Sequence, residues 1–341
     1  MAAKSLDDVI ASVNKEAKET IFSKGLSEYT YVRVPFTSPR MNYMTYGGLA
    51  LGRLVEFFGE EGGGKTTTAL DVVANFQNMF PDRKVLYVDA ENTLDPDWAR
   101  KIGVDLDNLY LLQPKTQSAE EIFQIILDST DTGEVGLWIL DSIGVLLSAQ
   151  ELAKELDEAT YGGISKPLTR FGKAAAGLVA KNNCLGIAIN QLRDDMNSSW
   201  GGTTTPGGRG WRHYCSNRIQ FSKGKYFDDK GNDMSRSAEN PAGNYVMANM
   251  VKTKTSKPTR HIGQYRIRYD LGIDYLTDLI DVAVLYGIID KRGAWFDIVD
   301  IENGDILKDK IQGQANVYKL LDEDSKLLQR IEEMVAQKDR D

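Results

Sequence analysis

RLVEFFGEEGGGKTTTAL, residues 53 to 70, passes from an apolar run through a glycine-rich bend into a helical pattern. Within it, Gly59-Glu60-Glu61-Gly62-Gly63-Gly64-Lys65-Thr66 matches G-x-x-x-x-G-K-[ST], with a strand before it and a helix after it. That is the setting a phosphate-binding P-loop requires. The glycines let successive backbone N–H groups turn inward on phosphate oxygens, and the helix N-terminus adds partial positive charge. Lys65 is expected to reach the β- and γ-phosphates of a bound nucleotide and the Thr66 hydroxyl to bind Mg²⁺, with Thr67 next along the same helix.

Outward from the P-loop, short apolar runs alternate with helical patterns. Strands are expected at 53–59, 84–89, 109–113, 137–141 and 185–190, and helices near 65–80, 118–129 and 167–181. Apolar strands separated by helices imply an α/β fold with a mainly parallel sheet covered on both faces. RIQFS, NYVMANMVK and QYRIRYD then follow with no helix between them and are expected to extend the sheet in antiparallel fashion. From about 271 a helical segment, the strand-like AWFDIV and a polar helical end read as a small α+β C-terminal domain. Before the core, residues 5 to 22 open with Ser-x-x-Asp and carry Leu6, Val9, Val13, Ala17 and Ile21 at helical spacing. The polar, proline-containing stretch 24–48 reads as a linker, so the expected divisions are 1–40, 41–270 and 271–341.

The composition sets bounds on function. The 341 residues are 42% hydrophobic and 26% charged, as in an ordinary globular protein with a sizeable core. No apolar run is long enough to span a bilayer, and the polar N-terminus is unlike a secretory signal. Cys184 and Cys215 have neither disulfide-framework nor metal-ligand spacing, which points to a reducing, cytoplasmic setting. Net charge is −8, yet residues 252–268 carry six Lys/Arg and no acid. By itself that run reads as a solvated face.

Three further strand ends carry chemistry. LWILDS places Asp141 at the end of a buried strand, where it is expected to hold Mg²⁺ through water beside the P-loop. KVLYVDAE ends in Asp89-Ala90-Glu91, a place from which a carboxylate can orient and deprotonate an attacking water; a solvated loop acid is the plainer alternative. LGIAINQLR ends in Asn190 and Gln191, whose amides are candidates to sense a γ-phosphate. Directly behind lies RDDMNSSWGGTTTPGGRGWRHY (193–214), too glycine-rich for a helix and too long for a turn.

FFGEEGGGKTT, YVDAENTLDPDWARKIGVDLDNL, ILDS, INQLR, GGTTTPGGRGWRHYCSNR, MVKTKTSKP and GAW resemble segments of the bacterial RecA recombinases, in that family's order and near its spacing. The resemblance covers roughly residues 40 to 300. It implies a RecA-type P-loop ATPase core that uses ATP and Mg²⁺, with Glu91 as catalytic glutamate, Asp141 at the Mg²⁺ site and Gln191 coupling nucleotide to DNA. Trp98 stands where the family has a tyrosine packing on adenine, with Asp95 near the base and Tyr269 packing on it too. Lys252 and Lys254 match lysines that reach the neighbouring subunit's ATP, so part of the basic run acquires a role.

The implied activity is a DNA-dependent ATPase that forms a helical filament on single-stranded DNA and exchanges strands with homologous duplex. A head-to-tail contact that does not close into a ring builds such a filament. The N-terminal helix would dock on the next subunit, with Phe22 as an anchor. Two loops would meet DNA. The first is about 151–166, with Lys166 and Arg170 as phosphate contacts. The second is about 193–212, with Arg193, Arg209 and Arg212 for charge and Trp200 to wedge or stack on bases. Its Gly201, Gly202, Thr203, Thr204, Gly207 and Gly208 offer backbone and hydroxyl donors to phosphates.

The chain also departs from the family. Asp194 and Asp195 follow Arg193 where the family is apolar or basic, and His213 replaces a phenylalanine that links subunits. The first loop is longer after Gly162-Gly163, and the chain ends RIEEMVAQKDRD where an acidic tail is common. These features mark a divergent member and are consistent with a phage-encoded one. A ring-forming helicase on the same core and an ATP-switched, non-catalytic recombination mediator are the competing readings. The Lys-x-Lys pair argues against the first, and the joint presence of Lys65, Glu91 and Gln191 against the second.

Overall fold

The computed structural model describes residues 5–18, 22, 31–155, 163–194, 202–235 and 237–340. Its contacts divide the chain into two units, residues 1–32 and 33–341. The first holds α1 (Leu6–Ala17), which starts with the reciprocal box its sequence announced. Ser5 Oγ accepts from the Asp8 N–H at 3.1 Å, and the Asp8 carboxylate accepts from the Ser5 N–H at 3.0 Å. Lys18, in a left-handed conformation at φ 57°, ends the helix short of Ile21, which lies outside the described residues. Asn14 then clasps Phe22 through both backbone groups, at 2.7 and 2.8 Å. No residue of α1 is buried.

The second unit begins within the stretch read as a linker. β1 (Arg33–Val34), α2 (Pro39–Thr45) and β2 (Leu49–Ala50) put Val34, Phe36, Met41 and Met44 into the main core. These buried apolar residues lie within a polar segment whose average polarity conceals them. Ser38 caps α2, with Pro39 in the first turn where a missing N–H costs nothing.

Strand and helix then alternate as β3 (Leu54–Gly59), α3 (Lys65–Met79), β4 (Lys84–Asp89), α4 (Pro96–Ile102), β5 (Leu109–Leu112), α5 (Ala119–Asp131) and β6 (Val135–Asp141). α6 (Ala149–Leu152), α7 (Ser165–Lys181) and β7 (Leu185–Gln191) continue the series. β8 (Arg193–Asp194) and β9 (Thr203–Thr204) form a short antiparallel pair before α8 (Gly208–Tyr214). β10 (Asn217–Phe227), β11 (Asp233–Met234), β12 (Gly243–Thr253), β13 (Ile262–Arg268) and β14 (Gly272–Ile273) complete the sheet.

The spatial order is β14-β13-β12-β10-β3-β7-β6-β4-β5, with β11 paired to β10. Every pair from β10 to β5 is parallel, and β12 to β14 are antiparallel. The expectation that all three late strands would be antiparallel therefore fails at the first. β10 follows a crossover that includes α8, which returns the chain to the same end of the sheet and forces parallel pairing with β3.

Alternation along the strands divides the core. Val55, Phe57, Tyr87, Ile139, Ile187 and Ile189 face Leu70, Val73 and Phe76 of α3. Leu54, Leu86, Trp138 and Ala188 face the opposite side, with Phe171 of α7 and Trp211 of α8. At the end of β3, Gly59 has φ 152°, and a Cβ there would stand 1.9 Å from the Phe221 carbonyl oxygen. Only glycine lets β3 turn into the P-loop this close to β10.

The C-terminal elements are α9 (Tyr275–Leu285), the antiparallel strands β15 (Ile289–Arg292), β16 (Trp295–Val299) and β17 (Ile306–Gln312), then α10 (Gln314–Glu323) and α11 (Ser325–Arg340). They enclose a separate core built on Ile280, Val282, Phe296, Ile298, Leu321 and Ile331. Buried Asp278 fastens α9 to α2 by accepting from the Ser38 hydroxyl and, at 3.1 Å, from the Arg40 N–H.

Candidate functional site

A cleft of about 470 Å³ opens at the carboxyl ends of β3, β4, β6 and β7. It is walled by Glu61 to Thr67, Glu91, Trp98, Asp141, Gln191 and Tyr269, so most of the residues singled out for nucleotide chemistry converge there. Lys65 is nearly buried and donates to the Gly59 and Glu60 carbonyls at 3.1 and 2.6 Å. Burial holds its ammonium below the ordinary lysine range, with Asp141 and Glu91 partly offsetting the shift. Gly59 and Glu60 thus meet Lys65 from beneath and do not line the cleft.

Thr66 Oγ1 and the Tyr87 hydroxyl both donate to Asp141 Oδ2, at 2.8 and 2.9 Å. Burial pushes the Asp141 carboxyl up to about 6; these two hydrogen bonds oppose the shift, and Glu91 and Asp89 add to it. Beside it, Glu91 Oε1 accepts from Ser142 Oγ at 2.5 Å and from Gln191 Nε2 at 3.0 Å. Glu91 is therefore a held carboxylate at the cleft and not the solvated loop acid of the plainer reading. A hydroxyl and a carboxylate, both hard oxygen donors, suit Mg²⁺, which takes few protein ligands and completes its shell with water and phosphate. Accordingly, among the described residues no group of three or more His, Cys, Asp or Glu could hold a metal by itself.

The far wall is aromatic. Trp98 Nε1 donates to Thr67 Oγ1 at 3.1 Å, and the Tyr269 hydroxyl donates to Asn244 Oδ1 at 2.8 Å. Asp95, expected near the base, does not line the cleft. Its Oδ1 caps α4, accepting from the Asp97 and Trp98 N–H groups. Asn190 also differs from expectation: strand alternation turns it to the α8 side, away from the Gln191 side chain. Lys223 and Asn244 line the cleft without having been foreseen. They lie far along the chain on β10 and β12, outside any local motif, and Ser142 stood unremarked inside ILDS.

A second cleft, about 640 Å³, lies where the two glycine-bearing loops are rooted. Arg193, Thr204, Gly207, Gly208, Arg209 and Arg212 line it, with Glu151 and Gly163 from the first loop. The neck of the second loop is the β8–β9 pair, in which Arg193 faces Thr204. Arg193 donates to the Gly144 carbonyl at 2.6 Å; Arg212 donates to the Thr204 hydroxyl and, at 3.1 Å, to the Thr205 carbonyl. Gly202 and Thr203 are exposed. Lys166 and Arg170 are exposed on α7 and do not line this cleft. Trp200, Gly201 and Asp195 lie outside the described residues, as does the middle of the first loop.

Lys252 and Lys254 belong to neither cleft. Lys252 Nζ donates to the Arg212 and His213 carbonyls at 2.5 and 3.2 Å, and Lys254 Nζ to the His213 carbonyl at 2.9 Å. Two cations at the C-terminal end of α8 complement its dipole.

Strand, P-loop and helix, with a carboxylate at the tip of the next strand but one, define a P-loop nucleotide-binding protein of the α/β class. The model of the RecA N-terminal domain matches residues 4–274 and that of the RecA C-terminal domain residues 277–339. The chain belongs to the RecA family. It is 30% identical over 336 residues to Protein RecA of Ruminococcus albus, covering 97% of this chain and 79% of that protein. It is 32% identical over 344 residues to Protein RecA of Staphylococcus carnosus (98% and 90%) and 33% identical over 294 residues to that of Clostridium acetobutylicum (86% and 78%). The family is one of DNA recombination and repair, whose members bind ATP and DNA.

Proposed function

We propose that this protein is a single-stranded-DNA-dependent ATPase that assembles into a helical filament and pairs and exchanges strands with homologous duplex. The observation that carries this reading is the placement of Gln191. Its side chain meets Glu91 in the nucleotide cleft, and two residues on, Arg193 opens the neck of the glycine-rich loop. A γ-phosphate contact at Gln191 thereby adjoins the surface that would meet DNA.

In this mechanism the P-loop backbone and Lys65 cradle the phosphates, and Thr66 and Asp141 would hold Mg²⁺, which would supply charge neutralisation at the phosphates. Glu91, oriented by Ser142 and Gln191, takes the proton of the attacking water. Trp98 and Tyr269 flank the base. Lys252 and Lys254 leave the end of α8 to reach the next subunit's ATP, and the N-terminal helix docks on that neighbour. Arg193, Arg209, Arg212 and the loop's Gly and Thr residues, with Lys166 and Arg170, contact the DNA backbone, while Trp200 meets the bases. The setting is the cytoplasm, on nucleoid DNA; no described helix is long and apolar enough to cross a membrane.

The test is ATP hydrolysis with and without single-stranded DNA, followed by strand exchange between homologous substrates. Stimulated hydrolysis and exchanged products are expected. Unwinding by closed hexamers would replace this reading with a ring motor, and DNA binding without any hydrolysis would replace it with an ATP switch.

A further inference from the structure

Behind the nucleotide cleft, on the α8 face of the sheet, lies a polar cluster that the catalytic chemistry does not use. Glu56 of β3 and Asn190 of β7 are fully buried, and Arg218 of β10 is only 9% exposed. Glu56 Oε2 accepts from Arg218 Nε at 2.5 Å, and the guanidinium lies 4.4 Å from the Phe58 ring centroid. Arg218 Nη2 reaches Thr205 Oγ1 at 3.4 Å.

Asn190 joins this pair to two functional segments. Its Oδ1 accepts from the Gln191 N–H at 3.0 Å, and its Nδ2 donates to Glu56 Oε1 at 2.9 Å and to the Pro206 carbonyl at 3.0 Å. The surroundings are one donor and two acceptors, so only this orientation of the amide satisfies all three. Asn190 therefore bonds the backbone of the proposed sensor on one side and the closing end of the second loop on the other.

A buried ion pair is weak evidence of stability, since apolar groups of the same volume usually serve as well. What this one specifies is an arrangement: Glu56, set in β3 three residues ahead of the P-loop, fixes the direction of the Asn190 amide. Loss of the Nδ2 bond to Glu56 leaves a buried carboxylate oxygen unpaired, so the amide is held in place and Gln191 and Pro206 have few ways to shift independently.

We propose that Asn190, held by Glu56 and Arg218, is the positioning residue that transmits the state of Gln191 to Thr205-Pro206 and so makes DNA affinity depend on the nucleotide. This rests on the reading that Gln191 senses the nucleotide and that the second loop binds DNA.

The test compares the single-stranded DNA affinity of the full chain with a slowly hydrolysed ATP analogue and with ADP, for the unaltered protein, Gln191→Ala and Asn190→Ala. The unaltered protein and its analogue-to-ADP affinity ratio set the reference. Asn190→Ala is expected to lower that ratio at least about tenfold while analogue affinity stays within about threefold. A merely structural role would weaken both DNA affinities alike and leave the ratio intact. An unchanged ratio in Asn190→Ala beside a collapsed one in Gln191→Ala overturns this inference alone, and a ratio near unity in the unaltered protein removes the underlying reading as well. Should Asn190→Ala not fold, hydrogen exchange on the unaltered protein decides. The analogue without DNA is expected to slow the amides of 203–205, 207 and 208, and no slowing there overturns the proposal.

Discussion

Gln191 Nε2 donates to Glu91 Oε1 at 3.0 Å, joining the tips of β7 and the β4 loop across one hundred positions of sequence. A neutral amide thus holds the carboxylate proposed as base, with Ser142 on the same oxygen. Glu91→Gln preserves size but cannot take a proton. Nucleotide and DNA binding are expected to persist while the hydrolysis rate falls about a hundredfold or more. Equilibrium nucleotide binding and steady-state turnover on one preparation check this, and full turnover would remove Glu91 from the role.

Arg209 is exposed at the cleft beneath the second loop. If it meets one phosphate, Arg209→Ala should weaken single-stranded DNA binding uniformly across sequences. The slope of log K against log salt should also fall in magnitude by about 0.7. A titration at several salt concentrations separates this from an unfolding effect, which would leave no such change in slope.

The ion pair behind the cleft has its own stability signature. Arg218→Met leaves Glu56 charged and buried with only Asn190 to satisfy it. A loss of about 3 to 5 kcal/mol in denaturant unfolding is expected, whereas replacing both Glu56 and Arg218 by apolar residues should recover much of it.

Asp278 predicts a pH dependence. Burial pushes its carboxyl up to about 7 from 3.8, against the pull of the Ser38 hydroxyl and the Arg40 N–H, with Asp281 adding to the shift. The folded chain then holds this proton more tightly than the unfolded one. The group's contribution to stability is complete below its unfolded value and is lost as pH rises toward 7. Asp278→Asn retains an oxygen for both donors but has no proton to lose. Its stability relative to the unaltered protein should therefore rise by on the order of 3 kcal/mol between pH 4 and 8. Asp71 and Asp339 are also pushed up, to about 6, so unfolding of the two proteins must be compared at each pH rather than read from one curve.

Much of this molecule is written locally. The P-loop, the Ser-x-x-Asp start of α1, the strand–helix alternation and the acids at the ends of β4 and β6 are short-range patterns. Period and spacing suffice to read them. Family resemblance extended that reading to Trp98 and Tyr269, both of which line the nucleotide cleft. It did not foresee that Asp95 Oδ1 would cap the first turn of α4, because a capping role depends on where the helix begins.

Other features depend on which strands become neighbours. The parallel pairing of β10 with β3 follows from a crossover, not from residue composition, and it alone brings Arg218 to Glu56. The same packing brings Lys223 and Asn244 to the nucleotide cleft and turns Lys252 and Lys254 onto the end of α8. Sequence alone determined the class of chemistry, since phosphate binding needs glycines, a lysine and a hydroxyl at fixed local spacing. Only the tertiary structure decided that Asn190 and Gln191, adjacent in the chain, serve opposite faces of the sheet. A strand turns successive side chains apart, but what waits on each side is set by long-range packing.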